Sequence, residues 1–210
     1  MKIAVAIFYV SVLLSLEVIA EPLSSLNITK GLRNFEVEHV DDTVKIERNQ
    51  NPDATITLTA PACPETCVQP IEAAPGVKTI GLYELVEFMQ NDLAVGAGLL
   101  IDARTPNWHQ QGTIPGSINI PYTTLSTYSG ANEIDIADAL EQLGGKELGE
   151  SWDFSNSPSL VLWCNGSWCG QSPAAIRGLL RLGFPVNKIH YFRGGLEAWK
   201  RYRSEEHTSE

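Results

Sequence analysis

Two kinds of segment alternate along the second half of the chain. Short apolar runs of strand length predict buried strands at residues 77–80, 98–102, 116–121, 160–163 and 188–192. Between them, apolar residues recur every three or four positions and predict amphipathic helices near residues 82–89, 134–143, 173–180 and 195–201. Continuous apolar strands that alternate with helices are typical of a parallel sheet covered on both faces. The pattern therefore predicts an α/β domain over residues 77–202.

The region before this domain has a different pattern. Residues 35–40 and 43–48 alternate between apolar and polar positions, and Asp41 and Asp42 between them signal a turn, so a β-hairpin is predicted. Residues 54–59 predict a third short strand. A sheet this small is only marginally stable alone, so we expect residues 21–76 to form a small β extension that packs on the following domain.

The two ends of the sequence have the patterns of segments outside the fold. Lys2, the apolar run 3–16 and the small-residue pattern at 18–20 predict a secretory signal peptide over residues 1–20. The alternative is a membrane anchor, but the run is shorter than the roughly 20 residues that span a bilayer. We therefore expect a periplasmic or secreted protein with no membrane span after cleavage. Residues 203–210 resemble a translated sequencing adapter and are expected to be a non-native tail.

Composition narrows the function classes. The chain has 210 residues, 43% of them hydrophobic, and a net charge of −10, which fits one globular domain with an appendage and argues against nucleic-acid partners. The four cysteines form two sequence pairs, Cys63/Cys67 and Cys164/Cys169, and export would place them in an oxidising compartment. Three disulfide pairings are open. Cys63 and Cys67 fit a structural disulfide, with a redox pair facing Cys164 as the alternative. Neither spacing is that of a zinc site, so no metal is expected.

The stretch that joins the strand at 160–163 to the following helix carries the clearest chemistry. Cys164 stands where the strand ends, and Ser172 and Pro173 suit a helix start, with Ser172 as the cap. Backbone N–H groups in a short glycine-containing loop before a helix form a cradle for an anion. We expect this cradle to be Asn165, Gly166, Ser167, Trp168 and Gly170. A thiol held there has a lowered pKa, which makes Cys164 the candidate nucleophile.

Three separated motifs resemble the rhodanese domain. Residues 100–104 with 112–121 are similar to its first signature, and 161–164 with 191–199 are similar to its second half. The resemblance covers 77–202 and extends to exported single-domain rhodaneses with a small N-terminal extension. It implies a five-stranded parallel sheet with helices on both faces, and sulfane sulfur carried as a persulfide on Cys164. Thiosulfate or polysulfide is the implied donor, cyanide or a thiol, including a protein thiol, is the implied acceptor, and no cofactor is implied.

The match has departures from the family pattern. The loop contains no arginine or lysine, although a cation favours thiosulfate binding. Thr113 stands where the family usually has a histidine, and we interpret it as structural, with His109 as a surface residue. The resemblance makes Asp102 and Arg104 mainly architectural supports of the neighbouring loops.

Cys169 leaves several functions open. It is a second thiol that forms a disulfide with Cys164, passes sulfur on, or is a small buried hydrophobe. The first option allows a thiol–disulfide redox relay as an alternative function. A non-catalytic partner-binding module is a further alternative. A phosphatase is disfavoured, because Gly170 stands where that chemistry needs an arginine.

Overall fold

The computed structural model describes residues 33–39, 42–47, 68–125, 129–149 and 151–202. The predictions of a signal peptide at 1–20, a strand at 54–59, the Cys63/Cys67 pair and a tail at 203–210 lie outside these ranges. Within the described ranges no helix is both long and apolar enough to pass through a bilayer.

The main sheet contains five parallel strands in the spatial order β3–β9–β8–β4–β5. These strands are β3 (Lys78–Ile80), β4 (Gly98–Asp102), β5 (Ser117–Asn119), β8 (Ser159–Trp163) and β9 (Ile189–Phe192). The helices are α1 (Leu82–Phe88), which continues into a π-helical turn (Met89–Leu93), α2 (Pro106–Gln110), α3 (Glu133–Gln142), α4 (Gln171–Arg181) and α5 (Gly195–Tyr202). The predicted α/β architecture is confirmed.

The central strand β8 explains why both faces of the sheet are covered. Successive side chains of a strand point to opposite faces. Leu160 and Leu162 pack in the cluster formed with α3 and α4, whereas Val161 and Trp163 pack in the cluster formed with α1. All four side chains have no measurable exposure, so a continuous apolar run is required. The prediction that Trp163 belongs to the core is confirmed.

Two antiparallel hairpins accompany the main sheet. The predicted N-terminal hairpin is confirmed as β1 (Asn34–His39) paired with β2 (Asp42–Glu47). The second, β6 (Lys146–Leu148) with β7 (Ser151–Asp153), lies in the polar connection between α3 and β8. The side chains of β6 are exposed and show no apolar alternation, so the sequence pattern does not indicate this hairpin. Gly149, at φ +62°, supplies the left-handed conformation that a tight hairpin turn needs.

Candidate active site

Cys164 lies directly after β8, at the edge of the sheet where the parallel strands end. The junction between β9 and α5 holds the backbone on either side of it. The Leu196 amide donates to the Cys164 carbonyl and the Glu197 amide to the Asn165 carbonyl, both at 2.9 Å. Gly195, at φ +56°, makes this contact possible, because a Cβ there would collide with the Cys164 carbonyl oxygen. The start of the loop is therefore fixed by main-chain contacts.

Cys164 and Cys169 form a disulfide, with their Cα atoms 6.3 Å apart. This pairing is the first of the options for Cys169, and it leaves no free thiol at either position in this state. Both residues are buried, with 2% of Cys164 and 3% of Cys169 exposed. The structure is thus the oxidised form, in which the candidate nucleophile is bonded to its neighbour.

The start of α4 differs from the prediction. The helix begins at Gln171 with Gly170 at the N-cap position, and no side chain caps it, so Ser172 is not the cap. The fully buried Ser172 hydroxyl instead donates to Cys164 Sγ at 3.0 Å. The helix starts earlier because the Cys169 amide donates to the Gly166 carbonyl at 2.9 Å and tightens the loop into a turn. Pro173 remains in the first helical turn, where its missing N–H is tolerated.

The predicted amide cradle is not directed at the sulfur in this form. Among the described residues, the contacts of Cys164 Sγ other than the disulfide are with the Ser172 hydroxyl and, at 3.3 Å, with the Cys169 carbonyl oxygen. No described backbone N–H donates to it. The N-terminus of α4, which carries a partial positive charge, still lies next to Cys164. The cradle therefore stays a prediction for the reduced protein.

Asp102 and Arg104 form a buried ion pair at the end of β4. The guanidinium donates to the carboxylate through Nε at 2.8 Å and Nη2 at 2.7 Å, and 0% of Asp102 and 1% of Arg104 are exposed. Burial raises the pKa of Asp102, but hydrogen bonds from Arg104 and His109 and the charge of Arg104 outweigh it, so its pKa is lowered overall. Arg104 also lies over the Trp163 ring, 4.7 Å from its centroid.

His109 was predicted to be a surface residue, and the structure corrects this. Its Nδ1 lies 2.9 Å from Asp102 Oδ2, and 28% of its side chain is exposed. The short helix α2, with Thr105 at the N-cap and Pro106 after it, turns His109 toward the ion pair. Threonine followed by proline is a common start of a helix, and this pair is the sequence feature from which α2 could have been predicted. Thr113 donates to the same carboxylate oxygen at 3.0 Å, in agreement with a structural role.

The ion pair is connected to the reactive loop through Asn165. Arg104 Nη1 donates to Asn165 Oδ1 at 3.4 Å, and Asn165 Nδ2 lies 3.9 Å from Cys169 Sγ. Arg104 Nη2 also donates to the Gly112 carbonyl. These contacts join β4 and the segment after α2 to the loop, which fits the predicted supporting role of Asp102 and Arg104.

A segment that precedes the domain crosses the loop, and sequence reasoning missed it. The Gln69 amide donates to the Ser167 carbonyl at 2.9 Å. Arg193, which follows β9, donates to the Gln69 carbonyl at 2.7 Å and to the Pro70 carbonyl at 3.3 Å. We call Gln69 and Pro70 the strap. Local sequence patterns do not predict contacts between residues more than a hundred positions apart, so the contact between Arg193 and the strap could not be predicted from the sequence.

The remaining loop residues form the rim of the site. Trp168 is partly exposed, although its indole Nε1 is buried without a hydrogen-bond partner among the described residues. The Glu197 carboxylate lies against Gly166, at a position that a Cβ would have to occupy. A shallow cavity of about 200 Å³ lies beside the loop and is lined by Ser167, Gly194, Glu197, Ala198 and Arg201.

A family model and several solved structures are similar to this chain. A family model described as rhodanese-like domain matches residues 83–202. The human single-domain sulfurtransferase TSTD1 is 22% identical, covers 61% of this chain and 99% of its own, and has a TM-score of 0.42. The Saccharomyces cerevisiae single-domain sulfurtransferase RDL2 is 15% identical, with 60% and 89% covered and a TM-score of 0.42. A search of curated proteins gave no significant match.

Proposed function

This chain belongs to the rhodanese-like domain family, and from that premise we propose that it is an exported sulfurtransferase that carries sulfane sulfur as a persulfide on Cys164. The observation that carries the proposal is the position of Cys164. It follows the central strand, adjoins the N-terminus of α4 and accepts a hydrogen bond from the buried Ser172 hydroxyl. A partial positive charge and a hydroxyl donor both favour the anionic form of sulfur over the neutral thiol.

Reduction of the disulfide is the first step of the proposed cycle. One thiolate of an external dithiol attacks Cys169 Sγ, the bond to Cys164 breaks, and Cys164 leaves with the electron pair as a thiolate. The second thiol of the reductant, once deprotonated, displaces Cys169 and closes the reductant into a disulfide. Two electrons have then passed to the protein, and both cysteines are reduced. Because Cys164 is 2% exposed in the oxidised form, the loop must also open for a donor to reach it.

Sulfur transfer follows as two displacements. The Cys164 thiolate attacks the outer sulfur of thiosulfate, the sulfur–sulfur bond of the donor breaks, and sulfite leaves with the electron pair. Cys164 then holds a persulfide anion. A cyanide or thiolate acceptor attacks the outer sulfur, the bond to Cys164 Sγ breaks, and the thiolate is regenerated. A polysulfide donor reacts in the same way and leaves one sulfur shorter. No general base is needed if Cys164 is already ionised.

The proposed location agrees with the chemistry of the loop. Disulfides persist mainly in oxidising compartments, and the first 20 residues have the pattern of a secretory signal. An exported enzyme with this disulfide would depend on a dithiol reductant in its own compartment. We therefore include export in the proposal, and fractionation of the native host into cytoplasmic and exported proteins would test it.

Thiocyanate formation from thiosulfate and cyanide tests the activity. We expect wild-type protein to be active after treatment with a dithiol and inactive before it. Cys169→Ser is expected to be active without reduction, because Cys164 is then free, whereas Cys164→Ser is inactive under both conditions. Activity that remains in Cys164→Ser, or a Cys169→Ser variant that is inactive although folded, would contradict the assignment.

The disulfide favours a second candidate function, a thiol–disulfide redox relay. In that case the reduced pair would pass its two electrons to a substrate disulfide and return to the oxidised form shown here. Both cysteines would be required, so Cys169→Ser would abolish turnover of a model disulfide with a dithiol reductant. A Cys169→Ser variant that transfers sulfur while wild type exchanges disulfides no faster than background would exclude the relay.

A further inference from the structure

Tyr191 is a fully buried polar residue that the proposed mechanism leaves without a role. Its side chain is 0% exposed, and its hydroxyl has no partner with hydrogen-bond geometry among the described residues. A buried hydroxyl without a partner destabilises a folded protein relative to an apolar side chain of the same shape. Such a cost is understandable where the hydroxyl finds a partner in another state of the protein.

The fold places Tyr191 beneath the reactive loop. It pairs in register with Leu162 of β8, two residues before Cys164. Its ring lies in the core that α4 covers, together with Ala175 and Ile176. The first turn of α4 contains Ser172, whose hydroxyl already donates to Cys164 Sγ at 3.0 Å. Tyr191 in β9, Ser172 in α4 and Cys164 at the end of β8 thus belong to three elements that contact one another.

The hydroxyl of Tyr191 stays protonated and can therefore donate a hydrogen bond. Burial raises the pKa of its hydroxyl to about 12, against the opposing effects of the Arg193 charge and the Ser172 hydroxyl. Ser172 lies in the first turn of α4, the helix that packs over the face of β9 carrying Tyr191, so the two hydroxyls are neighbours in the fold, although no hydrogen bond joins them in the oxidised form. Tyr191 therefore keeps its proton at neutral pH and is able to donate it to an oxygen such as that of Ser172.

The direction of the hydrogen bonds follows from the number of protons. Ser172 has one hydroxyl proton, which it gives to Cys164 Sγ, and its lone pairs remain able to accept. A disulfide sulfur is neutral and a weak acceptor. A thiolate or persulfide attracts the Ser172 proton more strongly, which makes the serine oxygen a better acceptor in turn. The third member of such a chain would be the Tyr191 hydroxyl.

We propose that Tyr191 is a positioning residue, which donates to Ser172 when Cys164 is reduced and so stabilises the negative charge on the Cys164 sulfur. The relay accounts for a hydroxyl that is unpaired in the oxidised form, because the charge that would engage it is absent there. Its part in turnover rests on the proposed function, but its effect on the charge of the sulfur is independent of any sulfur donor.

Other groups also act on Cys164 and must stay constant in a test. Arg104 reaches the loop from β4 through Asn165, with Asp102 as its counter-charge. Arg193 follows β9, and the Glu197 carboxylate of α5 lies against Gly166. Replacement of Tyr191 by phenylalanine removes one hydroxyl and leaves all four charges in place. Cys169 is removed by a serine background in every variant.

The experiment measures the pH dependence of alkylation of Cys164 in dithiol-treated Cys169→Ser protein, followed on the Cys164 peptide by mass spectrometry. A hydrogen bond to a charged group corresponds to about one to two pKa units, so Ser172→Ala should raise the pKa of Cys164 by that amount. Cooperative strengthening of about 10–30% predicts a smaller rise, up to about half a unit, for Tyr191→Phe. Tyr122→Phe, a partly buried tyrosine against the same core, is the control and should cause no shift.

The double variant decides between a relay and independent effects. If Tyr191 acts through Ser172, adding Tyr191→Phe to Ser172→Ala changes the pKa no further. An unchanged pKa in Tyr191→Phe alone, or an additive second shift in the double variant, overturns the proposal. Tyr191→Phe should unfold at an equal or higher denaturant concentration than its parent, so a loss of folding would also contradict an unpaired hydroxyl. A pKa shift without any sulfur transfer would refute only the proposed function.

Discussion

Replacement of Asp102 by asparagine tests the support of the reactive loop. Asparagine has nearly the same shape but no charge, so the change isolates the electrostatic role of the carboxylate. Asp102 accepts hydrogen bonds from the Arg104 side chain at 2.7 and 2.8 Å, from the Arg104 amide at 3.1 Å and from Thr113 at 3.0 Å, and lies 2.9 Å from His109 Nδ1. All of these groups are donors or can act as donors, so the amide NH₂ of asparagine would face at least one of them.

The magnitude follows from burial. Arg104 is 1% exposed and would keep its charge without a counter-ion. Removal of one partner of a buried ion pair destabilises a protein by about 3–5 kcal/mol. The double change Asp102→Asn with Arg104→Met removes the buried charge as well and should recover much of this loss. Asp153→Asn is the matched control, because that residue is only partly buried and, among the described residues, its carboxylate hydrogen-bonds its near neighbour Ser155.

Urea unfolding of the disulfide-bonded protein measures the effect. We expect Asp102→Asn to lower the free energy of unfolding by about 3 kcal/mol or more, and Asp153→Asn to leave the midpoint close to that of wild type. A decrease in the free energy of unfolding of less than about 1 kcal/mol for Asp102→Asn would refute the reasoning, since removal of the anion from a buried ion pair is expected to destabilise the protein by more than this. A double variant no more stable than Asp102→Asn would show that lost packing, not charge, dominates.

The same carboxylate predicts a pH dependence. The pKa of Asp102 is lowered in the folded protein, because hydrogen bonds from Arg104 and His109 and the Arg104 charge outweigh burial. A group with a lowered folded pKa contributes stability above its unfolded pKa of about 4 and loses it as pH falls through the folded pKa. Wild type should therefore lose stability in that acid range more steeply than Asp102→Asn. Parallel pH profiles for the two proteins would contradict the assignment.

Two further predictions concern the contacts around the loop. Gly195→Ala should destabilise the protein by more than about 1 kcal/mol in urea unfolding, because the added Cβ would collide with the Cys164 carbonyl. Gly149→Ala is the control, because Gly149 has a similar φ but open space around it, and it should destabilise the protein less. Equal losses of stability in the two variants would refute the contact. Arg193→Ala should release the strap and increase the rates of proteolysis near residue 69 and of alkylation of reduced Cys164. Arg181→Ala, at the far end of α4, is the control and should change neither rate. Unchanged rates in Arg193→Ala would show that the strap does not cover the loop.

The features predicted correctly from sequence are those encoded by nearby residues. The strand 160–163 was evident because each of its side chains is buried on one face or the other, and Trp163 followed from that pattern. The position of Cys164 directly after this strand followed from the same apolar run, which ends at Trp163. The local pattern of apolar residues predicts such a strand correctly, because the sheet is covered on both faces and every side chain of its central strand is buried.

The features that were missed depend on side-chain contacts between different elements of the fold. The Ser172 hydroxyl bonds a sulfur eight residues away, so its typical role as a helix cap was the wrong inference. His109 turns inward because the buried charge of Asp102 attracts its ring nitrogen. Arg193 binds carbonyls of the strap across 124 positions of sequence. The topology of the sheet brings such pairs together, and they cannot be predicted from secondary-structure propensity or from the spacing of residues along the chain.

The central claim is that Cys164, once released from Cys169, carries the transferred sulfur. The most direct measurement is peptide mass spectrometry of dithiol-reduced protein, freed of reductant, after exposure to thiosulfate or polysulfide, with unreduced protein in parallel. We predict a gain of one sulfur atom on the peptide containing Cys164, found in wild type and Cys169→Ser, lost on addition of cyanide and absent from unreduced wild type. Added sulfur on Cys169 alone, or none on the Cys164 peptide of the reduced protein, would contradict the account.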